Sequence, residues 1–338
     1  MKSYLQKIRE KKSLTSFEIE EVMKAIMSGS VTSEDLSAFL LGLREKGHTV
    51  EEITGAARVM RQFSIKIKTK HKKILDTCGT GGDKKGTFNI STLVAFVVAG
   101  AGVIVAKHGN RSVSSKCGSA DILEALGVNL NLDEQALGKC LDEVGIAFLF
   151  AQKLHPAMKH AAPVRKALGV ETIFNLLGPL TNPAQATHQM VGVYDKSFVE
   201  PVANVLKNLG SKRALVVHGS DGLDEITTTG ATFISEYDGK EIRSYATSPE
   251  EFKMDIAADA DLKGGDLPVN AKIAQDILEG KGGAKRDIVL LNAAYALYIV
   301  EAVKDIPDGI ERAASAIDSR KARQKLNELI EFTHRKFS

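Results

Sequence analysis

The chain has 338 residues, a formal net charge of +3, 43% hydrophobic and 26% charged residues. These ordinary proportions predict a globular protein of one large or two modest domains. They exclude a global nucleic-acid or membrane surface, so any basic site must be local. The three cysteines, Cys78, Cys117 and Cys140, include no CxxC pair and no disulfide framework, which points to a reducing, cytoplasmic compartment. The opening MKSYLQKIREKK holds no apolar stretch long enough for a signal peptide. The most apolar run, Leu93 to Ala106, is broken by Gly100 and Gly102 and is too short to cross a bilayer. It reads as a buried helix followed by a strand.

The first sixty or so residues predict helices only. Ile19, Val22, Met23 and Ile26 share one helical face, and Leu36, Phe39, Leu40 and Leu43 share another. Thr15 with Glu18 and Thr49 with Glu52 have capping-box spacing, and Gly29 and Gly47 stand where left-handed caps belong. A basic linker, Lys66 to Lys73, follows. Ile74–Asp76 then reads as a strand, leading through a Gly loop to a helix from about Asn89 and a strand over Val103–Ala106, a βαβ pattern that implies a parallel sheet. Further strands are expected at Ala147–Phe150, Gln189–Tyr194 and Ala214–His218, alternating with helices at Asp133–Val144 and Phe198–Leu209. Thr232–Tyr237 and Glu241–Tyr245 flank Asp238-Gly239, a hairpin signal. The chain from Ala271 onward predicts helix.

His155 to Pro183 interrupts this alternation, as a segment that leaves the sheet and returns to the helical bundle would. The expected organisation is an α/β protein: a small all-helical domain from 1–65 plus about 160–185, and a larger α/β domain with a mainly parallel central sheet from 73–158 plus about 187–338. The hinge falls at about 65–73.

Four motifs carry chemistry. In Asp76-Thr-Cys-Gly-Thr-Gly-Gly-Asp83, clustered glycines let backbone amides approach an anion closely, and the helix start at Asn89, with Ser91 and Thr92, adds donors and a favourable dipole. Lys84 occupies the place of the third Rossmann glycine and no Walker Gly-Lys-Ser/Thr follows, so neither common nucleotide motif applies. Lys107 to Ser115 places two cations and several hydroxyls directly after an apolar strand, the usual ligand edge of a parallel sheet, and suits a polyanion. Asp224-Glu225 follows another strand. Adjacent carboxylates can simply be solvated, but opposite a phosphate cradle they suit magnesium, which takes oxygen ligands and substrate phosphates. His155 and His160 are poorly spaced for zinc. Arg165 is either a surface residue or a clamp for a carboxylate. There is no GxSxG, and no Cys is set in a His–Asp relay.

The GTGGD loop, the NIST helix start, KHGNRSVSS and the stretch HPAMKHAAPVRKALGVETIFNLLGPLTNPA, in this order, resemble the anthranilate phosphoribosyltransferase family over essentially the whole chain. The resemblance implies a nucleoside-phosphorylase-like architecture and a homodimer associating through the helical domain. It implies transfer of the 5-phosphoribosyl group of phosphoribosyl pyrophosphate (PRPP) to the amine of anthranilate, with Mg2+, in tryptophan biosynthesis. By the same resemblance, PRPP would contact Gly79, Gly82, Asp83, Thr87, Asn89, Ile90, Ser91, Thr92, Lys107, His108, Gly109, Asn110, Arg111, Ser112, Val113, Ser114, Ser115 and Ser119. Anthranilate would be lined by Gly79, His108, Asn110, Arg165 and Pro179, and the metal held by Ser91, Asp224 and Glu225. No general base is assigned, because the amine is already a neutral nucleophile. Two departures, Lys84-Lys85 after Asp83 and Cys117 where the family often has Ser, remove no ligand.

A pyrimidine nucleoside phosphorylase-like enzyme is the alternative nearest in chemistry. It would use free phosphate without magnesium, and Asp224-Glu225 with the Pro163–Gly169 region favour the transferase. A catalytically silent homologue that binds nucleic acid should have lost the acidic pair or the Gly loop and gained charge; this chain keeps both motifs.

Overall fold

The computed structural model describes residues 1–112 and 117–336. It opens with helices α1 (Lys2–Arg9), α2 (Ser16–Met27), α3 (Ser33–Lys46) and α4 (Val50–Phe63). Both expected capping boxes form: the Thr15 and Thr49 side chains accept from the backbone of Glu18 and Glu52, which reach back to the cap amides. Glu52 does more. Its fully buried carboxylate also accepts from Leu14 N at 2.9 Å and from Lys46 Nζ at 2.8 Å, tying three segments of the bundle together.

The chain continues through β1 (Leu75–Asp76), α5 (Ile90–Gly100), β2 (Val105–Gly109), α6 (Ser119–Ala125), α7 (Glu134–Glu143) and β3 (Ile146–Phe150). Then come α8 (Ala151–Leu154), α9 (Ala162–Leu168), α10 (Ile173–Leu180), β4 (His188–Gly192), α11 (Val199–Asn208) and β5 (Arg213–Gly219). The hairpin β6 (Thr232–Tyr237) and β7 (Ile242–Thr247) and the helices α12 (Leu267–Leu278), α13 (Ala284–Ile299), α14 (Ile306–Asp318) and α15 (Lys321–Thr333) complete it. Among the described residues one seven-stranded sheet forms, in the order β3-β2-β1-β4-β5-β6-β7. Strands β1 to β5 pair in parallel, and β6 and β7 are antiparallel. A parallel sheet needs cover on both faces, and α5, apolar nearly all round, is buried along almost its whole length in supplying it.

The 151–187 segment leaves the sheet after β3 and rejoins it at β4. Ala161, Val164, Ile173, Phe174, Leu176, Leu177 and Leu180 of this insert share one core with α2, α3 and α4. That core runs on beneath one face of the sheet, through Val191, Val216 and the buried side of α11. A second core surrounds α5, α13, α14 and α15. Burial of apolar area at about 25 cal/mol per Å2 is the main source of stability for both.

Several boundaries differ from expectation: β4 ends at Gly192 and β7 runs to Thr247, and two further differences have a visible cause. Strand β2 extends to Gly109, which pairs with Phe150, so Lys107 and His108 are strand residues and not the start of a loop. Helix α12 begins at Leu267 and not at Ala271, because Asp266 caps Val269 N at 3.1 Å with Pro268 in the first turn. The basic 65–73 stretch is docked: Ile65 N donates to Leu154 O (2.9 Å), Ile67 N to Pro183 O (3.1 Å) and Lys73 Nζ to Val300 O (2.9 Å). No helix among the described residues is long and apolar enough to cross a membrane.

Candidate active site

The carboxyl ends of β1, β2, β4 and β5 open on one edge, and β1 and β4 pair where the order of strands reverses, the usual ligand crevice of such sheets. The Gly loop leaves β1 here. Gly81 (φ 63°) and Gly82 (φ 87°) take left-handed backbone that only glycine adopts without cost. Thr80 N donates to Gly192 O at 2.8 Å and Tyr194 N to Thr80 Oγ1 at 3.0 Å, which folds the loop onto the end of β4.

Asp224 fills the space beneath this loop. Gly81 N donates to its Oδ2 at 2.8 Å. A Cβ on Gly79 would lie 2.8 Å from that movable carboxylate oxygen, and one on Gly192 only 1.5 Å from the Asp224 backbone carbonyl, so Gly192 is required by close approach to backbone. Glu225 accepts from Ser91 N, in the first turn of α5, at 3.1 Å. Lys107 Nζ, reaching from β2, donates to Thr77 O (2.9 Å) and Ser91 Oγ (3.2 Å). The Gly loop, the α5 N-terminus, the strand lysine and the acidic pair thus converge on one volume.

The electrostatics there favour an added cation. Burial, with the charge of Asp83 next, pushes the Asp224 carboxyl up to about 7. Burial and then Asp224 push Glu225 well above its ordinary value, against the opposing pull of Lys107. Burial raises Asp83 as well. Ser91, Asp224 and Glu225 offer oxygen donors alone, which fits magnesium. No closed cluster of three or more His, Cys, Asp or Glu stands ready for a metal among the described residues.

The insert forms the opposite wall. His108 Nδ1 lies 3.0 Å from Gly178 O, and its Nε2 lies 3.2 Å from His155 Nε2. Burial pushes these imidazoles down to about 3 and about 4 respectively, so both are neutral. Pro179 O accepts from Gln189 Nε2 at 2.7 Å. Arg165, on α9, stacks over Phe174 at 5.2 Å and donates to Asn175 Oδ1 at 3.5 Å. Burial alone perturbs it, downward, with no acidic neighbour contributing. Lys84 Nζ lies 3.7 Å from Glu171 Oε1, so the Gly loop and the insert touch across the cleft.

A family model described as the glycosyl transferase family a/b domain matches residues 71–323, and one for the family's helical bundle domain matches residues 2–64. Over 335 residues the chain is 52% identical to an anthranilate phosphoribosyltransferase of Symbiobacterium thermophilum, covering 99% of this chain and 98% of that one. The chain belongs to the anthranilate phosphoribosyltransferase family. A crystal structure of a family member from Thermus thermophilus superposes with a TM-score of 0.93 at 41% identity, covering 98% and 99% of the two chains. The Saccharomyces cerevisiae member in complex with PRPP and Mg superposes at 0.90 with 27% identity, covering 98% and 97%.

Among the residues expected from the family resemblance, Gly79, Gly82, Asp83, Ser91, Lys107, Asp224 and Glu225 lie together around the cleft floor. His108 and Pro179 stand at its insert side. Asn89 Nδ2 donates to Cys117 O at 3.1 Å, while Asn89 Oδ1 and the buried Thr92 Oγ1 have no hydrogen-bond partner among the described residues. Ile90 is buried in α5, and Thr87 forms an isolated bridge with Lys263. Gly109 abuts Ser119, whose Oγ donates to Asn110 O at 3.2 Å. Arg111 pairs with Asp121 Oδ1 at 2.9 Å and with Glu124. Ser112 N donates to Asp121 Oδ2 at 3.1 Å. Val113, Ser114 and Ser115 lie outside the described residues. Sequence reasoning missed Asn182 and the buried Asp76 as site builders. Asp76 accepts from His108 N (3.1 Å) and from Asn182 Nδ2 (2.8 Å), knotting β1, β2 and the returning insert. In the sequence Asp76 stands only as the first residue of the glycine motif at a strand end, and Asn182 only within the LTNPA stretch.

Proposed function

We propose that the chain transfers the 5-phosphoribosyl group of PRPP to the amine of anthranilate, releasing N-(5-phosphoribosyl)anthranilate and pyrophosphate, with Mg2+. What supports this reading is that the Gly loop, which meets the acidic pair through Gly81 N and Asp224, also reaches the insert through Lys84 and Glu171 at 3.7 Å. The same insert carries Arg165, a half-buried guanidinium beside Phe174 and Asn175.

In this reading the amides of the Gly loop and the α5 N-terminus hold the diphosphate, and Lys107 adds positive charge beside Ser91. Ser91, Asp224 and Glu225 would hold Mg2+, which when bound neutralises the departing pyrophosphate. Arg165 grips the anthranilate carboxylate and aims the amine at the anomeric carbon. The amine lone pair forms the C–N bond as the C–O bond to pyrophosphate breaks, through an oxocarbenium-like state, and the nitrogen then releases a proton. A neutral amine needs no strong base, and the neutral His108–His155 pair provides positioning without charge. In this reading the 1–65 and 160–185 regions shift relative to the sheet across the core they share with it at Val191, Val216 and α11. Closure between them brings the reacting atoms together and excludes water. The same reading carries a homodimer through the helical layer, where Phe17 and Leu41 are exposed.

The test is the loss of anthranilate fluorescence on adding PRPP and Mg2+, with pyrophosphate measured in parallel. Consumption that requires all three components supports the transferase. Phosphorolysis of a pyrimidine nucleoside with free phosphate, and no anthranilate consumption, would favour a phosphorylase.

A further inference from the structure

We infer that Asn292 is a positioning residue for the acidic pair: it clamps the backbone at Ile226 and so holds the Asp224 and Glu225 carboxylates toward the cleft. The inference rests on the proposed reading of that pair as the site of metal-bound diphosphate.

Asn292 lies in the interior of α13 and is fully buried. A buried carboxamide costs free energy unless its donors and acceptor are satisfied, and here they are. Its Oδ1 accepts from Ile226 N at 2.9 Å, and its Nδ2 donates to Ile226 O at 2.7 Å and to Ile288 O at 2.8 Å. The side chain thus supplies both bonds that a neighbouring strand would otherwise give to Ile226. The residue held is the one directly after Glu225. On the other flank, Gly219 N donates to Leu223 O at 2.8 Å and Leu223 N to Asp221 Oδ1 at 3.1 Å. The acidic pair therefore stands between two fixed points. Restraint is needed there because Asp83, Asp224 and Glu225 repel one another when charged. An unclamped loop would splay, breaking the contacts from Gly81 N and Ser91 N that orient the two carboxylates.

The test compares Asn292→Ala with Tyr295→Phe, a control on the same helix whose side chain is also buried. Mn2+ binding in the presence of PRPP is followed by electron paramagnetic resonance, with thermal unfolding by circular dichroism. Loss of a residue that supports metal ligands from behind raises the apparent Mn2+ dissociation constant by about 10- to 100-fold, while the control stays close to the parent protein. Should Asn292→Ala not fold, Asn292→Asp carries the same test, because it keeps the acceptor for Ile226 N and loses both Nδ2 bonds. Unchanged Mn2+ affinity in a folded Asn292 variant overturns the inference, as does an equal loss in Tyr295→Phe. If the parent protein itself binds no Mn2+ with PRPP, the reading of the acidic pair falls, and the inference falls with it.

Discussion

His108 and His155 face each other through their Nε2 atoms at 3.2 Å, while His108 Nδ1 lies 3.0 Å from the Gly178 carbonyl. A carbonyl only accepts, so His108 carries its proton on Nδ1 and its Nε2 accepts from His155 Nε2–H. A further proton on His108 would set two N–H groups head to head. Because His108 sits on β2 and Gly178 on α10, this relay joins the sheet to the insert.

The relay makes the fold acid-sensitive. Both imidazoles have folded values below the ordinary 6.5, so between about pH 6.5 and 4 the unfolded chain binds more protons than the native one. Their stability contribution is complete above about pH 6.5 and is lost as pH falls through about 4. His155→Gln keeps a donor and removes one titrating group. Its unfolding free energy should fall less steeply on acidification, by up to about 1.4 kcal/mol per pH unit. Denaturant titrations at pH 8 and pH 5 check this, and parallel slopes for the two proteins would refute it.

The acidic pair should behave in the opposite sense. Its folded values are raised, so the free protein loses stability as pH rises from about 4 through about 7. Asp224→Asn should therefore be more stable than the parent at pH 8, by about 1–2 kcal/mol after discounting for a half-buried site, with no such gain at pH 4. Asp224→Asn combined with Glu225→Gln should abolish magnesium-dependent turnover while the fold persists. Undiminished turnover would remove the metal assignment.

Arg165→Ala should act mainly on anthranilate. Losing a charge-assisted hydrogen bond at a half-buried position costs about 1.5–3 kcal/mol, or about ten- to a hundredfold in kcat/KM for anthranilate. The KM for PRPP should move little. Steady-state kinetics with each substrate varied decide the matter, and a collapse of PRPP affinity with normal anthranilate handling would assign Arg165 to the other substrate.

Gly192→Ala places a methyl group 1.5 Å from the Asp224 carbonyl, where backbone stands on both sides of the contact. Overpacking of this kind costs about 1–3 kcal/mol and displaces Asp224, so both melting temperature and turnover should fall. Gly282→Ala, with no atom within 4 Å of the added Cβ, should change neither. Equal behaviour of the two variants in thermal unfolding and activity assays would show that the contact does not constrain the site.

Local chemistry made much of this legible in the sequence. The Thr15–Glu18 and Thr49–Glu52 caps need only nearby residues, and they form as expected. The Gly loop and the acidic pair were legible as motifs because clustered glycines and adjacent carboxylates stand out by residue type, and the fold brings them together through Gly81 N and Asp224. What could not be read is fixed by distant partners. Asn182 meets Asp76 across 106 residues, and Asn292 meets Ile226 across 66. Arg111 looks like a phosphate ligand by type, yet α6 presents Asp121 and Glu124 to it. Strand β2 runs past its apolar stretch because β3 pairs with it as far as Gly109.

A crystal structure with PRPP and Mn2+, the metal located by its anomalous scattering, tests most directly whether these elements form a single site. The diphosphate should lie on the amides of Gly79–Gly82 with Lys107 nearby, and the metal about 2.0–2.3 Å from a carboxylate oxygen of Asp224 or Glu225. Diphosphate bound away from the Gly loop, with the metal held by other carboxylates such as Asp121 and Glu124, would contradict the account.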